Sequence, residues 1–80
     1  MDMRALVGSN FMRLRKARGL TQEQVAERSG FSQWYISGLE TGRRNPTVIT
    51  LFELAAVLDV TVADLVLDTQ TANGEDKAST

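Results

Sequence analysis

The stretch QEQVAERSGFSQWYISGLET, residues 22–41, decides the fold of this 80-residue chain. Gly30 separates two short segments of helical periodicity, and glycine tolerates the positive φ that a tight turn requires. A small residue, Ala26, stands in the first segment where a second helix can cross it closely. The apolar residues that can hold the two segments together are Val25, Phe31, Ile36 and Leu39. These six features together predict two helices packed across a turn of about three residues.

Start and stop signals extend this pattern to an all-α bundle of five helices. Thr21 followed by Gln24 predicts a capping box, and Ser32 and Thr61 are favourable N-caps. Glycines at 19 and 42 predict helix ends, and Pro46 with Thr47 introduces the fourth helix. The predicted helices span residues 6–18, 22–29, 33–41, 48–58 and 62–67.

Residues 68–80, DTQTANGEDKAST, have almost no apolar content, which predicts a disordered polar tail after a domain of residues 1–67. The chain has neither cysteine nor histidine, which excludes disulfides, the usual zinc sites and a histidine general base. Without a clustered carboxylate pair, no catalytic constellation is visible, and the sequence predicts neither enzymatic activity nor a cofactor. No apolar run approaches the ~20 residues of a transmembrane helix, so we expect a cytoplasmic protein.

The net charge of −1 conceals an uneven distribution. Residues 13–44 contain seven basic and three acidic residues, whereas residues 45–80 contain one lysine and six acidic residues. A local basic face can supply phosphate contacts even when the whole chain is acidic. The first half is therefore the candidate nucleic-acid-binding part.

Residues 14–60, LRKARGLTQEQVAERSGFSQWYISGLETGRRNPTVITLFELAAVLDV, resemble the phage repressor and Cro type of helix-turn-helix family, also called the xenobiotic response element type. The resemblance extends over residues 10–67. It implies a lambda repressor-like five-helix domain that binds double-stranded DNA as a dimer, with helix 3 in the major groove.

Helical phase selects the candidate base contacts on helix 3. With Ile36 on the core side, Trp34, Gly38 and Thr41 lie on the opposite side, at about 140–200°, and Gln33 and Ser37 flank them. An amide can pair with adenine N6 and N7, whereas an indole can contact a thymine methyl or cover a neighbouring helix. Gly38 would allow a backbone or sugar-phosphate strand to approach closely. The predicted base contacts are Gln33, Trp34, Ser37 and Thr41.

Further residues around helices 2 and 3 are candidate phosphate contacts. The resemblance places Gln22 on a phosphate, and its two free amide donors would lie at the positive end of helix 2. The hydroxyl of Tyr35 is a second donor, although its ring can also pack at the rim of the core. The loop after helix 3 either contacts phosphates or only positions helix 4. The predicted phosphate contacts are Gln22, Tyr35, Arg43, Arg44, Asn45 and, weakest of all, Arg13.

Arg15 and Glu40 lie on the core sides of helices 1 and 3, so they are expected to form a structural salt bridge. Helix 4 has a core stripe that begins at Val48 and a second apolar face. That second face, continued on helix 5, is either a dimer interface or is covered by helix 5 or the N-terminal segment. The candidate interface residues are Ile49, Phe52, Ala56, Val62, Val66 and Leu67.

These features favour a sequence-specific transcriptional regulator that reads a pseudo-palindromic operator with two copies of helix 3, about 34 Å apart. Its size is compatible with a Cro-like repressor, an antitoxin or a restriction–modification controller. The expected partners are DNA, a second copy of the chain, and RNA polymerase or a partner protein, with the DNA-bound form in the nucleoid. The alternative is a protein-interaction module, an antitoxin or adaptor, that uses the same fold as a scaffold.

Overall fold

The computed structural model of the protein describes residues 2–68 and confirms an all-α fold with five helices in that range. The prediction of a disordered tail lies outside these residues, apart from Asp68. No helix among the described residues is long and apolar enough to span a bilayer. The helices are α1 (Met3–Ala17), α2 (Gln22–Ser29), α3 (Gln33–Glu40), α4 (Val48–Leu58) and α5 (Val62–Val66).

Side-chain caps explain where these helices begin. Each N-cap side chain accepts a hydrogen bond from a backbone N–H of the first turn, which satisfies a donor that the helix itself cannot. α2 and α4 have the predicted bounds, and α3 and α5 end one residue early. α1 begins three residues before the predicted start, because Asp2 caps it by accepting from the backbone N–H groups of Arg4 and Ala5. The five N-caps are Asp2, Thr21, Ser32, Thr47 and Thr61.

The core lies where α1 packs against α3 and α5, α2 against α3 and α4, and α4 against α5. Leu65 is fully buried, although its position on the short last helix did not distinguish it in the sequence. Val48 was predicted in the core but is 71% exposed, because the first turn of α4 extends beyond the core and Ile49 is exposed as well. The buried apolar residues are Val7, Phe11, Val25, Ile36, Leu39, Leu51, Leu54, Ala55, Leu58 and Leu65.

The backbones of α1 and α3 touch at Gly8. A Cβ atom on this residue would lie within 3.0 Å of the carbonyl oxygens of both Leu39 and Glu40. Since those atoms belong to the main chain, no side chain can be accommodated without separating the helices. Gly8 therefore fixes the last turn of α3 against α1.

A buried amide joins α1 to α5. Asn10 is 4% exposed, and its Nδ2 donates to the carbonyl oxygens of Leu65 and Leu67, each at 2.9 Å. The last carbonyls of a helix have no partner inside the helix, so this side chain satisfies groups that α5 leaves open. The short α5 is thereby held at the surface of the bundle.

Candidate nucleic-acid interface

A shallow depression of about 270 Å³ lies between α2 and α3 and is lined by Gln22, Gln33, Trp34 and Ser37. Gln22 is the first residue of α2, and Gln33 is the first residue of α3. Trp34 is 83% exposed, so it does not cover a neighbouring helix. The fold thus brings three of the predicted base contacts beside one predicted phosphate contact.

The polar groups of α3 in this depression are available to a ligand. Within residues 2–68, the side chains of Gln33, Trp34 and Ser37 form no hydrogen bond with one another or with the rest of the fold. An amide offers donors and an acceptor, a hydroxyl offers both, and an indole offers a single N–H donor. The surface can therefore match both kinds of group on a base edge.

Gln22 differs from the prediction in one respect, because its amide is not free on both sides. Its Nε2 donates to Glu40 Oε1 at 3.0 Å, which uses one N–H and leaves the other N–H and the carbonyl oxygen available. Glu40 is 6% exposed and also accepts from Arg15, with Nε–Oε2 at 2.5 Å and Nη2–Oε1 at 3.0 Å. The Arg15–Glu40 pair is thus both buried and connected to a residue of the depression.

Arg15 is fully engaged on the core side. Besides the two bonds to Glu40, its Nη1 donates to the carbonyl oxygen of Leu20 at 2.7 Å. A buried charge pair is tolerated only when further hydrogen bonds satisfy the remaining donors and acceptors. Leu20 accepts a further bond from Arg15 and Gln22 donates a further bond to Glu40, so α1, α2 and α3 meet at one polar centre.

Arg44 folds back over α3 instead of extending from the loop. Its Cζ lies 5.3 Å from the ring centroid of Tyr35, which in turn stacks on Phe31 with centroids 5.1 Å apart and planes 21° apart. A Cβ on Gly38 would be 2.8 Å from Arg44 Nε. The space at Gly38, which the sequence suggested for an approaching strand, is therefore occupied by a side chain of the same protein.

The environment of Tyr35 affects its ionisation in two opposing ways. Partial burial raises the pKa of the phenol above its usual value, and the positive charge of Arg44 lowers it by a smaller amount. The hydroxyl is consequently protonated at neutral pH and can act as a hydrogen-bond donor.

The remaining predicted DNA contacts lie apart from the depression. Thr41 is the C-cap of α3, and its hydroxyl is 3.1 Å from the carbonyl oxygens of both Ser37 and Gly38, which engages its proton. Arg43 is exposed, and its backbone N–H donates to Gly38. Asn45 lines a second depression of about 170 Å³ with α1 and α4.

Arg13 lies on a different side of the bundle, towards α5. Its Nη2 is 3.4 Å from Asn10 Oδ1. Its charge also contributes to lowering the pKa of Asp64, after the larger effect of hydrogen bonding with Thr61, whose backbone N–H donates to the carboxylate. The fold does not bring Arg13 together with α3.

An apolar surface remains on α4 and at the end of α5. Ile49 is 69% exposed, Phe52 65%, Leu67 50% and Val66 36%. Neither α5 nor the N-terminal segment covers Ile49 and Phe52 within the described residues. Val62 is half-buried and packs against the core. We refer to Ile49, Phe52, Ala56, Val66 and Leu67 as the apolar surface.

Two short helices joined by a glycine turn, the second of them exposed beside a basic loop, define the helix-turn-helix class of DNA-binding fold. Gly30 has the left-handed φ of 83° that this turn needs. The chain belongs to the helix-turn-helix family of DNA-binding transcriptional regulators, whose model (HTH_3) matches residues 11–65. This membership confirms the resemblance found in the sequence.

Known proteins with the same domain include a curated relative and two solved structures. An uncharacterised HTH-type transcriptional regulator, y4dJ of Sinorhizobium fredii, is 68% identical over 69 residues, covering 86% of this chain and 90% of the relative. The restriction–modification controller protein C.AhdI of Aeromonas hydrophila is 35% identical with a TM-score of 0.74, covering 78% and 94%. The biofilm master regulator SinR, solved in complex with DNA, is 32% identical with a TM-score of 0.72, covering 76% and 98%.

Proposed function

We propose that this transcriptional regulator binds a pseudo-palindromic operator as a homodimer and controls transcription in the manner of a small repressor or controller protein. The observation that carries the proposal is the depression in which Gln22, Gln33, Trp34 and Ser37 meet with free polar groups on α3. The related SinR structure contains DNA, and C.AhdI is a controller protein, which supports the same class of ligand and role.

Base readout would come from the depression. Gln33, at the start of α3, can pair with adenine N6 and N7, and Ser37 can bond to either kind of base-edge group. Trp34 can cover a thymine methyl group or a sugar. Thr41 has its proton engaged by the backbone, so it can only accept a hydrogen bond from a base.

Phosphates would be held around this reading surface. Gln22 presents its remaining N–H beside the N-terminus of α2, where the helix dipole favours an anion. Arg43 and Arg44 add positive charge at the other end of α3, and the hydroxyl of Tyr35 adds a donor. Arg13 and Asn45 are weaker candidates, because neither lies with this group.

The apolar surface would join two copies of the chain. A second copy that covers Ile49, Phe52 and Leu67 would remove apolar surface from water, which favours association. To read a pseudo-palindromic operator, the two-fold axis of this dimer would have to place the two α3 helices in successive major grooves about 34 Å apart. We infer no catalytic activity and a cytoplasmic location, where the operator would be accessible.

Tryptophan fluorescence tests the proposal, because Trp34 is the only tryptophan and lies in the depression. The protein is titrated with DNA from upstream of its own gene and with scrambled DNA, each at two salt concentrations. We expect the native sequence to change the emission at a lower concentration, with an affinity that falls as salt rises. Anisotropy of labelled DNA measures binding independently of the tryptophan.

A paired charge reversal separates this function from a protein-interaction module. Arg43→Glu combined with Arg44→Glu should abolish DNA binding while leaving self-association unchanged, since neither residue belongs to the apolar surface. If the parent protein binds neither DNA in either assay, the regulator proposal is wrong and the exposed α4 face becomes a site for a different protein.

A further inference from the structure

Gly38 is half-buried and lies one helical turn after Trp34 on α3. The side chain of Arg44 covers it, with Nε 2.8 Å and Cγ 3.3 Å from the position that a Cβ would take. These distances are too short for an ordinary contact, so alanine at this position would displace the arginine. Glycine in the interior of a helix makes the helix less stable than alanine would. Here the missing methyl group leaves room for the Arg44 side chain.

An aromatic pair holds the other end of the same arginine. The guanidinium carbon is 5.3 Å from the Tyr35 centroid, within the range of about 6 Å for a cation–π contact. Phe31 stacks on Tyr35 and is itself packed against the core. Arg44 is therefore confined between the backbone of α3 and a ring that cannot move freely, although the residue as a whole is exposed.

We propose that Gly38 and Tyr35 are positioning residues that hold Arg44 on the DNA-facing side of α3 before DNA binds. The inference rests on the proposed function, because it assigns a role in binding the operator. A long side chain that is already ordered loses less conformational freedom on association. Arginine suits this role better than lysine, because its planar group can stack on a ring and still offer N–H donors to a phosphate.

A different explanation is that Gly38 is small so that DNA itself can approach. In that case alanine would clash with DNA whether or not Arg44 is present. The two explanations predict different results for the double variant, so Gly38→Ala, Arg44→Ala and their combination form the test.

The first measurement uses the free protein. Tyr35 is the only tyrosine, so ultraviolet absorbance follows its ionisation directly. Arg44→Ala removes the charge that lowers the pKa of this phenol together with part of the burial that raises it, so this variant gives the shift that loss of the contact produces. Gly38→Ala should shift the pKa in the same direction as Arg44→Ala, because the arginine is displaced, and should not lower the melting temperature.

The second measurement is operator affinity as a function of salt. We expect Gly38→Ala to weaken binding about three- to tenfold, the range for ordering one long side chain on association. Arg44→Ala should weaken it at least as much and reduce the salt slope by about 0.9, the value for one phosphate contact. The double variant should bind as Arg44→Ala does.

Three results would overturn the inference. They are an unchanged Tyr35 pKa in Gly38→Ala, an unchanged affinity in that variant, or a further loss when Gly38→Ala is added to Arg44→Ala. If the parent protein shows no specific, salt-dependent binding, the proposed function fails and the DNA role of Arg44 fails with it. The Tyr35 titration distinguishes that case, since it reports the Arg44 contact without DNA.

Discussion

At the scale of single residues, two glycines inside helices are expected to respond in opposite ways to substitution by alanine. Gly8 faces main-chain oxygens of α3, which cannot move without moving the helix, whereas Gly38 faces the flexible side chain of Arg44. At either position, replacing glycine by alanine would favour the helix by about 1 kcal/mol through helix propensity alone. The difference between them is therefore the cost of the contact that a methyl group would make.

Gly8→Ala is expected to destabilise the protein by about 1–3 kcal/mol, the usual cost of overpacking, because α1 and α3 must separate. Urea unfolding followed by circular dichroism measures it. Gly38→Ala is the matched control and should be neutral or stabilising. A Gly8→Ala protein as stable as the parent would mean that the two backbones are not in tight contact.

Glu40→Ala should cost about 3 kcal/mol, because it leaves the buried guanidinium of Arg15 without its charged partner. It also releases Gln22 from the hydrogen bond that orients it. Glu40→Gln keeps the shape and an acceptor and should cost less. Thermal unfolding of the three proteins gives the comparison, and an unchanged melting temperature in Glu40→Ala would refute the structural role of the pair.

At the scale of helices, the sequence predicts ends better than contacts. α2 and α4 have the predicted bounds because Thr21, Gly30 and Thr47 act within a few residues of themselves. The early start of α1 was missed because Asp2 stands before a segment with little apolar periodicity. In the site, helical phase located Trp34 on the exposed side, but the contact of Arg44 with Gly38 depends on how a loop folds back, which no local pattern encodes.

The Arg15–Glu40 pair was predicted from helical phase, but two other contacts between distant helices could not be predicted, for the same reason. Asn10 bonds to carbonyl groups 55 and 57 residues later, and an asparagine on a helix gives no sign of such partners. Gly8 is equally unremarkable in sequence until α3 is placed beside it. The close packing of α1 is thus a property of the assembled bundle.

Asn10→Asp should release α5, because the side chain keeps its shape but loses both donors to Leu65 and Leu67. We expect a loss of about 1–3 kcal/mol, the range for leaving buried groups unsatisfied. In this variant, hydrogen exchange should become faster at the backbone amides of α5, while those of α2 should change less. Ser9→Asp adds a carboxylate to an exposed neighbouring position and is the control. Equal protection of α5 in Asn10→Asp and the parent would contradict this role.

At the scale of the whole molecule, the two candidate binding surfaces lie in different halves of the chain. The depression and the loop that carries Arg43 and Arg44 lie in the basic half, and the apolar surface on α4 and α5 lies in the acidic half. If the apolar surface is the dimer contact, binding to two DNA half-sites requires dimerisation. The affinity of the basic half for DNA is then coupled to self-association of the acidic half. DNA affinity then depends on residues that touch no DNA.

Phe52→Asp should convert a dimer into a monomer, because it places a charge on the apolar surface. Operator affinity should fall by more than tenfold, since the second half-site is lost, while the helical content seen by circular dichroism should be unchanged because the residue is 65% exposed. Sedimentation velocity measures the assembly, with Phe52→Leu as the apolar control. A Phe52→Asp protein that sediments like the parent would place the dimer contact elsewhere.

The Glu40 carboxylate also has a consequence for how proteins of this kind can diverge. It bonds to Arg15 in the core and to Gln22 on the surface, so a substitution of Gln22 or Arg15 removes a hydrogen bond from the buried carboxylate. No side-chain hydrogen bond within the described fold constrains Gln33, Trp34 or Ser37. New operator preferences are therefore expected to arise by single substitutions at 33, 34 and 37, while position 22 changes only together with its partners.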